Sequence, residues 1–173
     1  MSKSGEQAKA GGVEGGKFLT FLLQDEEYGL EILKVREIMG LMEITTVPQT
    51  PDYVRGVINL RGQVIPVVDL RLKFGMREGD DDKRTCIIVV DVGGVMMGIV
   101  VDTVSEVMDI SSSDIEATPS FGTELNTDYI LGMGKVSGKV KILLDIDKVL
   151  TSEELVIMSE LQKKEAAAEE ATN

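Results

Sequence analysis

Short apolar runs separated by glycine-containing turns recur along this chain. Leu19, Phe21 and Leu23 alternate as one strand face, and "VDVGGVMMG" sets two glycines between apolar runs, as in a tight β-hairpin. Residues 56–70, "GVINLRGQVIPVVDL", have the same form, with Arg61 in the polar break. Runs such as "IIVVDV" are apolar on both faces, which indicates strands covered on both sides. The pattern predicts a mainly β chain of small barrels or sandwiches.

The same pattern occurs twice. Residues 53–74 align without a gap on residues 129–150, and "YGLEILKVREIM" aligns on "MGIVVDTVSEVM" upstream of them. We therefore predict two related halves, residues 18–74 and 85–150, joined by the charged segment "GMREGDDDKR". We expect the halves to form two barrels packed together.

Helical signals are few. The apolar residues of "EILKVREIM" are spaced as one helix face and predict a short helix, although the aligned segment reads as a strand. "DLRLKFG" predicts a single turn. Thr151 and Glu154 fit a capping box before an apolar stripe, which predicts a C-terminal helix over residues 151–166. Residues 1–16 and 167–173 are expected to be a flexible leader and a flexible tail.

Composition excludes several classes of function. The net charge of -12 disfavours binding to nucleic acid, and no run approaches 18 apolar residues, so no membrane insertion is predicted. The chain has no histidine and one cysteine, which removes the commonest general base and the usual zinc ligands and fits a reducing cytosol. The acidic run at residues 80–82 lacks the alternation of a calcium loop and is interpreted as a solvated linker. We predict no metal and no cofactor.

The aligned halves differ at one hairpin turn, which reads "NLRG" in the first half and "KVSG" in the second. Backbone geometry accounts for the shared glycine but not for Arg61, because Ser137 takes its place in the second half. Arg61 is either a solvated tip residue paired with a carboxylate, or a contact residue for a partner. Arginine suits the second role because its planar fork binds carboxylates and carbonyls.

Other polar residues have structural interpretations. Glu37 and Glu106 occur in both halves after a shared valine, which favours an ion pair over catalysis. Asp69 and Asp145 end equivalent apolar runs, so capping of the following turn is the favoured role. Cys86 has no neighbouring base in the sequence and is interpreted as buried and inert. Most methionines are expected in the core, with a few lining an adaptable groove.

At "YGLEILKVREI", "VRGVINLRGQVIPVVDLRLKFG" and "GIVVDTVSEVM" the chain resembles the CheW family of bacterial chemotaxis coupling proteins. The resemblance covers residues 17–160 in colinear order, and the "NLRG" turn followed by "VIPVVDLR" is specific to that family and its close relatives. It implies a mainly β fold of two SH3-like five-stranded β-barrels that share a core, with short helices and a C-terminal helix. The CheW-like domain would span residues 17–150.

The resemblance also implies a non-enzymatic adaptor in chemotaxis. Such proteins join the cytoplasmic tips of methyl-accepting chemoreceptors to the regulatory domain of the histidine kinase CheA. The chain would be a cytoplasmic monomer in isolation and part of rings in polar membrane receptor arrays. The resemblance leaves the kinase-binding residues unassigned. Carried over by position, the receptor-binding groove comprises Val35, Glu37, Ile38, Asn59, Arg61, Gly62, Cys86 and Val107.

Two other interpretations compete with the adaptor. The chain could be a coupling domain that is normally fused to a phosphorylatable receiver, which the end of the sequence after its helix disfavours. It could also be an enzyme that uses a pair of carboxylates, as glycosidases do. No carboxylate pair stands out, and three tyrosines without a tryptophan offer little stacking surface for a sugar.

Overall fold

The computed structural model describes residues 14–76, 81–118 and 128–172, and side chains as far as residue 168. Within these ranges the chain forms strands, two α-helices and three 3-10 turns. The strands are β1 (Gly16–Leu23), β2 (Glu26–Glu31), β3 (Val35–Gly40), β4 (Val54–Leu60), β5 (Gln63–Asp69), β6 (Cys86–Val92), β7 (Val95–Val101), β8 (Thr103–Ile110), β9 (Ile115–Glu116), β10 (Ile130–Val136) and β11 (Lys139–Leu144). The helices are α1 (Leu70–Lys73) and α2 (Ser152–Thr172), and the 3-10 turns are Ile32–Lys34, Ser112–Asp114 and Ile146–Lys148.

The strands form two sheets. One has six strands in the order β8-β1-β2-β11-β10-β9, and the other has five in the order β3-β6-β7-β5-β4. Neighbours pair antiparallel except at β2–β11 and β5–β7, which are parallel. The prediction of a mainly β fold with a C-terminal helix is confirmed.

Each sheet combines strands from both halves of the sequence. The hairpin β1–β2 lies in the six-stranded sheet with β8, β10 and β11, and the hairpin β6–β7 lies in the five-stranded sheet with β3, β4 and β5. The two sheets have equivalent strand orders. In the repeat, β8 corresponds to β3, the hairpin β1–β2 to β6–β7, and the strands β11 and β10 to β5 and β4. The two halves have therefore exchanged their first hairpins, and completing either sheet requires both halves.

The main hydrophobic core lies between the two sheets. Phe21 and Leu30 enter it from the six-stranded sheet, and Val68 and Ile88 enter it from the five-stranded sheet. Met158 of α2 is also wholly buried in this core. Each fully buried side chain of this size contributes about 1.5–3 kcal/mol relative to an exposed one. The shared core thus holds the two sheets together as one body.

Equivalent glycines allow close packing at the two parallel strand pairs. Gly29 lies opposite Leu143, and a Cβ on Gly29 would come within 2.8 Å of the Leu143 side chain. Gly98 lies opposite Val67, and a Cβ there would come within 2.8 Å of Ile87. Both copies of the repeat therefore have a glycine where a neighbouring side chain packs against the strand backbone.

An aromatic stack crosses the main core. The ring centroids of Phe21 and Tyr28 are 6.0 Å apart, those of Tyr28 and Phe74 are 6.0 Å apart, and those of Phe74 and Tyr129 are 5.0 Å apart. The rings come from β1, β2, the residue after α1 and the residue before β10. Stacking of this kind contributes about 0.5–1.5 kcal/mol per pair and ties both halves to the same core.

The short helix predicted over "EILKVREIM" is wrong. The chain makes a 3-10 turn at Ile32–Lys34 and then continues as β3, which pairs with β6 from Val35 opposite Val90 to Gly40 opposite Cys86. The ladder with β6 pairs the backbone groups along one side of β3, and this tertiary pairing outweighs the helical spacing of the apolar residues.

The other helix predictions are confirmed. The single turn α1 starts after Asp69, whose carboxylate accepts a hydrogen bond from the Arg71 amide at 3.0 Å. The capping box of α2 forms as predicted, because the Thr151 amide donates to Glu154 at 2.8 Å and the Glu154 amide donates to the Thr151 hydroxyl at 3.1 Å. The helix then runs to Thr172, beyond the predicted end at residue 166.

The structure corrects the interpretation of residues 80–82 as a solvated linker. The Asp81 carboxylate is ion-paired with Arg55 at 3.0 Å and with Arg71 at 3.2 Å. Asp80 lies outside the described residues, as do most of the predicted leader and Asn173 at the end of the predicted tail. The end of the linker is therefore fastened to the domain by charge.

Candidate functional site

The β4–β5 turn places Arg61 in an unusual backbone conformation. The φ angles of Arg61 and Gly62 are 54° and 86°, so both residues occupy the left-handed region. The side chain of Asn59 accepts a hydrogen bond from the Gly62 amide at 2.9 Å, which closes the turn. Such turns favour asparagine and glycine, and an arginine at this position carries a conformational cost. The turn therefore forms in spite of Arg61 and gives no structural reason for it.

Arg61 reaches across to β3 and pairs with Glu37. Two guanidinium nitrogens donate to the two carboxylate oxygens of Glu37, the longer of these bonds measuring 3.3 Å. The hydrogen bond from Arg61 lowers the pKa of Glu37, and the same bond raises the pKa of Arg61, so both groups stay charged. The Arg61 side chain is 70% exposed. The pair joins an edge strand to the opposite hairpin and confirms the ion-pair interpretation of Glu37.

Apolar residues lie on the face of β3 that points toward the main core, opposite to the face that carries Glu37. Ile38 lies opposite Ile88, a residue of the main core, yet it is 42% exposed because β3 is an edge strand. Val35 and Cys86 are partly buried and pack against the same core. The Cys86 thiol donates to the carbonyl oxygen of Arg84 at 3.1 Å, a local contact that gives the thiol no activating base. These residues form an apolar rim beside the shared core.

Val107 lies on the equivalent edge of the other sheet. It stands on β8 opposite Leu19 of the main core and is 48% exposed. In the repeat it corresponds to Ile38, so the edge strands β3 and β8 present equivalent exposed aliphatic residues. Glu37 lies opposite Val89, on the face of β3 away from Ile38.

The predicted groove residues therefore fall into three groups. Glu37 and Arg61 are joined by an ion pair, and Asn59 and Gly62 share the turn beneath them. The apolar members lie on core-facing faces of strands from both sheets, namely Val35, Ile38, Cys86 and Val107. The structure brings the first two groups together at the β4–β5 turn, whereas Val107 lies on the edge strand of the other sheet.

A buried charge network that the sequence analysis did not predict lies at the end of β5, away from the turn that carries Arg61. Arg71 is wholly buried and donates two hydrogen bonds to Asp69, at 2.9 and 3.0 Å, and one to Asp102 at 2.7 Å. It also contacts Asp81, and Arg55 donates to both Asp69 and Asp81. The hydrogen bonds to Asp69 raise the pKa of Arg71. The network fastens the end of β5, the linker and the β7–β8 junction to one another.

One signal in the sequence pointed to part of this network. The string "VVDLR" sets Asp69 and Arg71 two residues apart at the end of an apolar strand, where a cap and a cation can meet. Asp81 and Asp102 come from distant positions, and nothing in their spacing indicates the contact. Each of the three aspartates pairs with Arg71, and Arg55 pairs with two of them, so the network is a structural support for the hairpin that carries Arg61.

The described residues offer no metal-binding centre. No group of three Cys, Asp or Glu residues in the described ranges is arranged to hold a metal ion. No helix among them is long and apolar enough to cross a membrane. What the site does offer is an exposed cation on a fixed turn beside an apolar strand edge, which suits binding to another macromolecule.

Comparison with known proteins supports this view. A family model described as "CheW-like domain" matches residues 17–154. The chain is 42% identical over 154 residues to the chemotaxis protein CheW of Klebsiella aerogenes, covering 89% of this chain and 93% of that protein. It is 36% identical over 140 residues to the chemotaxis protein CheW of Rhizobium meliloti, covering 81% of this chain and 90% of that protein.

A solved structure agrees with the fold. The scaffolding protein TtCheW from Thermoanaerobacter tengcongensis superposes with a TM-score of 0.69 and 38% identity, covering 75% of this chain and 88% of that one. The family consists of non-enzymatic chemotaxis scaffold proteins, in agreement with the prediction that the chain is not an enzyme. The match over most of both chains leaves one conclusion: this chain belongs to the CheW-like domain family.

Proposed function

We propose that this chain is an adaptor that couples the cytoplasmic tips of methyl-accepting chemoreceptors to the histidine kinase CheA. The observation that carries the proposal is the Arg61–Glu37 pair, held on an exposed turn beside the apolar edge strand β3. The relatives named chemotaxis protein CheW and the solved scaffolding protein support the choice of pathway.

The receptor tip, a helical hairpin, is the partner proposed for the β3 edge. An amphipathic helix that lies along this edge would bury Ile38 and, further along, Val107, which are 42% and 48% exposed in the free chain. Arg61 would supply the polar anchor, because Glu37 holds its guanidinium in one orientation while most of the side chain remains accessible. Val35, Asn59, Gly62 and Cys86 would shape the groove around these contacts.

The second partner in the proposal is the regulatory domain of CheA. The chain would act as a monomer that joins this domain in rings, on the cytoplasmic side of polar membrane receptor arrays. Family membership supports this part of the proposal, and no particular kinase-contacting residue is assigned.

Reconstitution of kinase control tests the proposal. The autophosphorylation rate of the cognate CheA is measured with receptor signalling fragments, with and without this protein. We expect a severalfold rise that requires all three components. A folded protein that leaves the rate unchanged, and that binds neither the kinase nor the receptor fragment separately, would contradict the adaptor function.

A further inference from the structure

Edge strand β3 contains a β-bulge at Arg36. Val35 lies opposite Val90 and Glu37 lies opposite Val89, so Arg36 is the extra residue in the register with β6. A bulge of this kind changes the face to which the neighbouring side chains point. Glu37 lies on the face of the sheet away from the main core, because Val89 belongs to the apolar cluster on that outer face.

The Arg36 side chain reaches the same outer face. Its guanidinium donates to the Asp91 carboxylate at 3.2 Å. Asp91 lies on the outer face of β6, because it is two residues along the strand from Val89. The second oxygen of Asp91 accepts a hydrogen bond from the Gly94 amide at 3.1 Å. The β6–β7 turn therefore fixes the carboxylate that holds Arg36.

Two ion pairs thus lie next to each other along β3. Glu37 pairs with Arg61, and the residue before it, Arg36, pairs with Asp91. Because the Arg36 side chain is half-exposed and directly precedes Glu37, its guanidinium is a rival to Arg61 for the Glu37 carboxylate. The pairing that the structure shows keeps the two cations on separate carboxylates.

Comparison of the two sheets shows that these charges occur together. The bulge and its glutamate occur in both sheets, since β8 has the equivalent irregularity beside Glu106. The other three charges occur in the five-stranded sheet alone. Ser105, Leu22 and Ser137 stand at the positions equivalent to Arg36, Asp91 and Arg61. The sheet without the arginine at the turn therefore has neither the rival cation nor the carboxylate that holds it.

We propose that Asp91 is a positioning residue for Arg61. Asp91 holds the Arg36 guanidinium against the β6–β7 turn and away from Glu37, and this leaves the Glu37 carboxylate to orient Arg61. Neither Asp91 nor Arg36 needs to contact the receptor for this role. The inference rests on the proposed function only for its effect on receptor binding, because the state of Arg61 is measured in the chain alone.

Three variants of the full chain test the inference: Asp91→Asn, Arg36→Gln and the two combined. Asparagine keeps an acceptor for the Gly94 amide but loses the charge that attracts Arg36. We expect Asp91→Asn to weaken the pair between Glu37 and Arg61, which nitrogen-15 NMR without receptor detects as faster rotation of the Arg61 guanidinium. Arg36→Gln alone and the double variant should leave this rotation unchanged, because no rival cation remains.

Titration with a receptor signalling fragment measures the consequence for binding. We expect Asp91→Asn to lower the receptor affinity about threefold, which is the scale of a surface ion pair, and the added Arg36→Gln change to restore it. The matched control is Lys34→Gln, which removes the neighbouring surface pair with Asp147 at 2.7 Å. The control should change neither the Arg61 rotation nor the receptor affinity. Thermal unfolding confirms that every variant is folded.

Two results would overturn the inference. One is an Arg61 rotation rate that Asp91→Asn leaves unchanged. The other is a faster rotation that persists in the double variant or that Arg36→Gln alone reproduces, because the pair would then act through the shape of β3. If the rotation rate changes and is rescued as expected while the receptor affinity stays constant in all variants, the positioning role stands and Arg61 is not the receptor anchor.

Discussion

The hairpins β4–β5 and β10–β11 have the same backbone and different side chains. Their turn residues Arg61 and Ser137 both have a φ of 54°. Each hairpin has an irregularity in its pairing near the start of its first strand, before Gly56 and before Gly132. Each is closed by an aspartate amide that donates to a tyrosine carbonyl at 2.7 Å. The repeated features are those that a β-hairpin needs in order to fold.

The unrepeated side chains show where the two hairpins have different roles. Arg61 carries an ion pair at the turn where the other hairpin has a serine. Arg71 is wholly buried after β5, whereas its counterpart Asp147 lies at the surface and pairs with Lys34. Features shared by both copies are therefore those that the backbone requires. Side chains found in one copy only serve stability or binding, and one copy alone would not reveal this difference.

Replacement of Arg71 should have the largest effect on stability. Arg71→Met leaves the wholly buried Asp69 with Arg55 as its one remaining basic partner in the described network, and loss of a partner from a buried ion pair costs about 3–5 kcal/mol. Urea unfolding followed by circular dichroism measures the free energy of unfolding. The control is Asp147→Asn at the equivalent position, where loss of a surface ion pair costs at most about 1 kcal/mol. Equal losses in the two variants would contradict the difference between the hairpins.

A second comparison concerns the outer faces of the two sheets. Ile65 and Met96 belong to an apolar cluster on the five-stranded sheet, and the repeat places Lys141 and Glu27 at the equivalent positions of the other sheet. The Lys141 side chain is 6% exposed and is paired with Glu27. Glu27→Met leaves this ammonium group buried without its carboxylate, and we expect a loss of about 2–4 kcal/mol.

The double variant Glu27→Met/Lys141→Ile copies the apolar pair into the six-stranded sheet. We expect its free energy of unfolding, measured in urea, to lie within about 1 kcal/mol of the original, because an apolar pair replaces a buried ion pair at little cost. A double variant as unstable as Glu27→Met would show that the two outer faces are packed too differently for the exchange.

Local features of this fold could be predicted from the sequence because they depend on few residues. The glycine turns, the caps at Asp69 and Thr151 and the apolar stripe of α2 all formed as expected. The helix expected before Ile38 became a turn and a strand, because pairing with β6 depends on residues far along the chain. The exchange of hairpins between halves likewise depends on tertiary packing that no local pattern records.

The candidate site was predictable only in part, for the same reason. Alignment of the halves singled out Arg61 and indicated an ion pair for Glu37, and the structure joins the two. The contacts of Arg71 with Asp81 and Asp102 depend on how the linker and the β7–β8 junction fold back onto α1. The tertiary fold, and not the local sequence, brings these charges together.

The smallest change in stability is expected at the turns that carry Arg61 and Ser137. Variants of these two turns should also differ in receptor binding. Ser137→Asn should stabilise the fold by about 0.5 kcal/mol, because asparagine tolerates the left-handed conformation better than serine does. Arg61→Asn has the same backbone benefit but loses the ion pair with Glu37. Titration of each variant with a receptor signalling fragment should show about a tenfold or greater loss of affinity for Arg61→Asn and none for Ser137→Asn. If both folded variants bind the receptor as the original does, Arg61 is not the anchor, and the difference between the turns has no role in receptor binding.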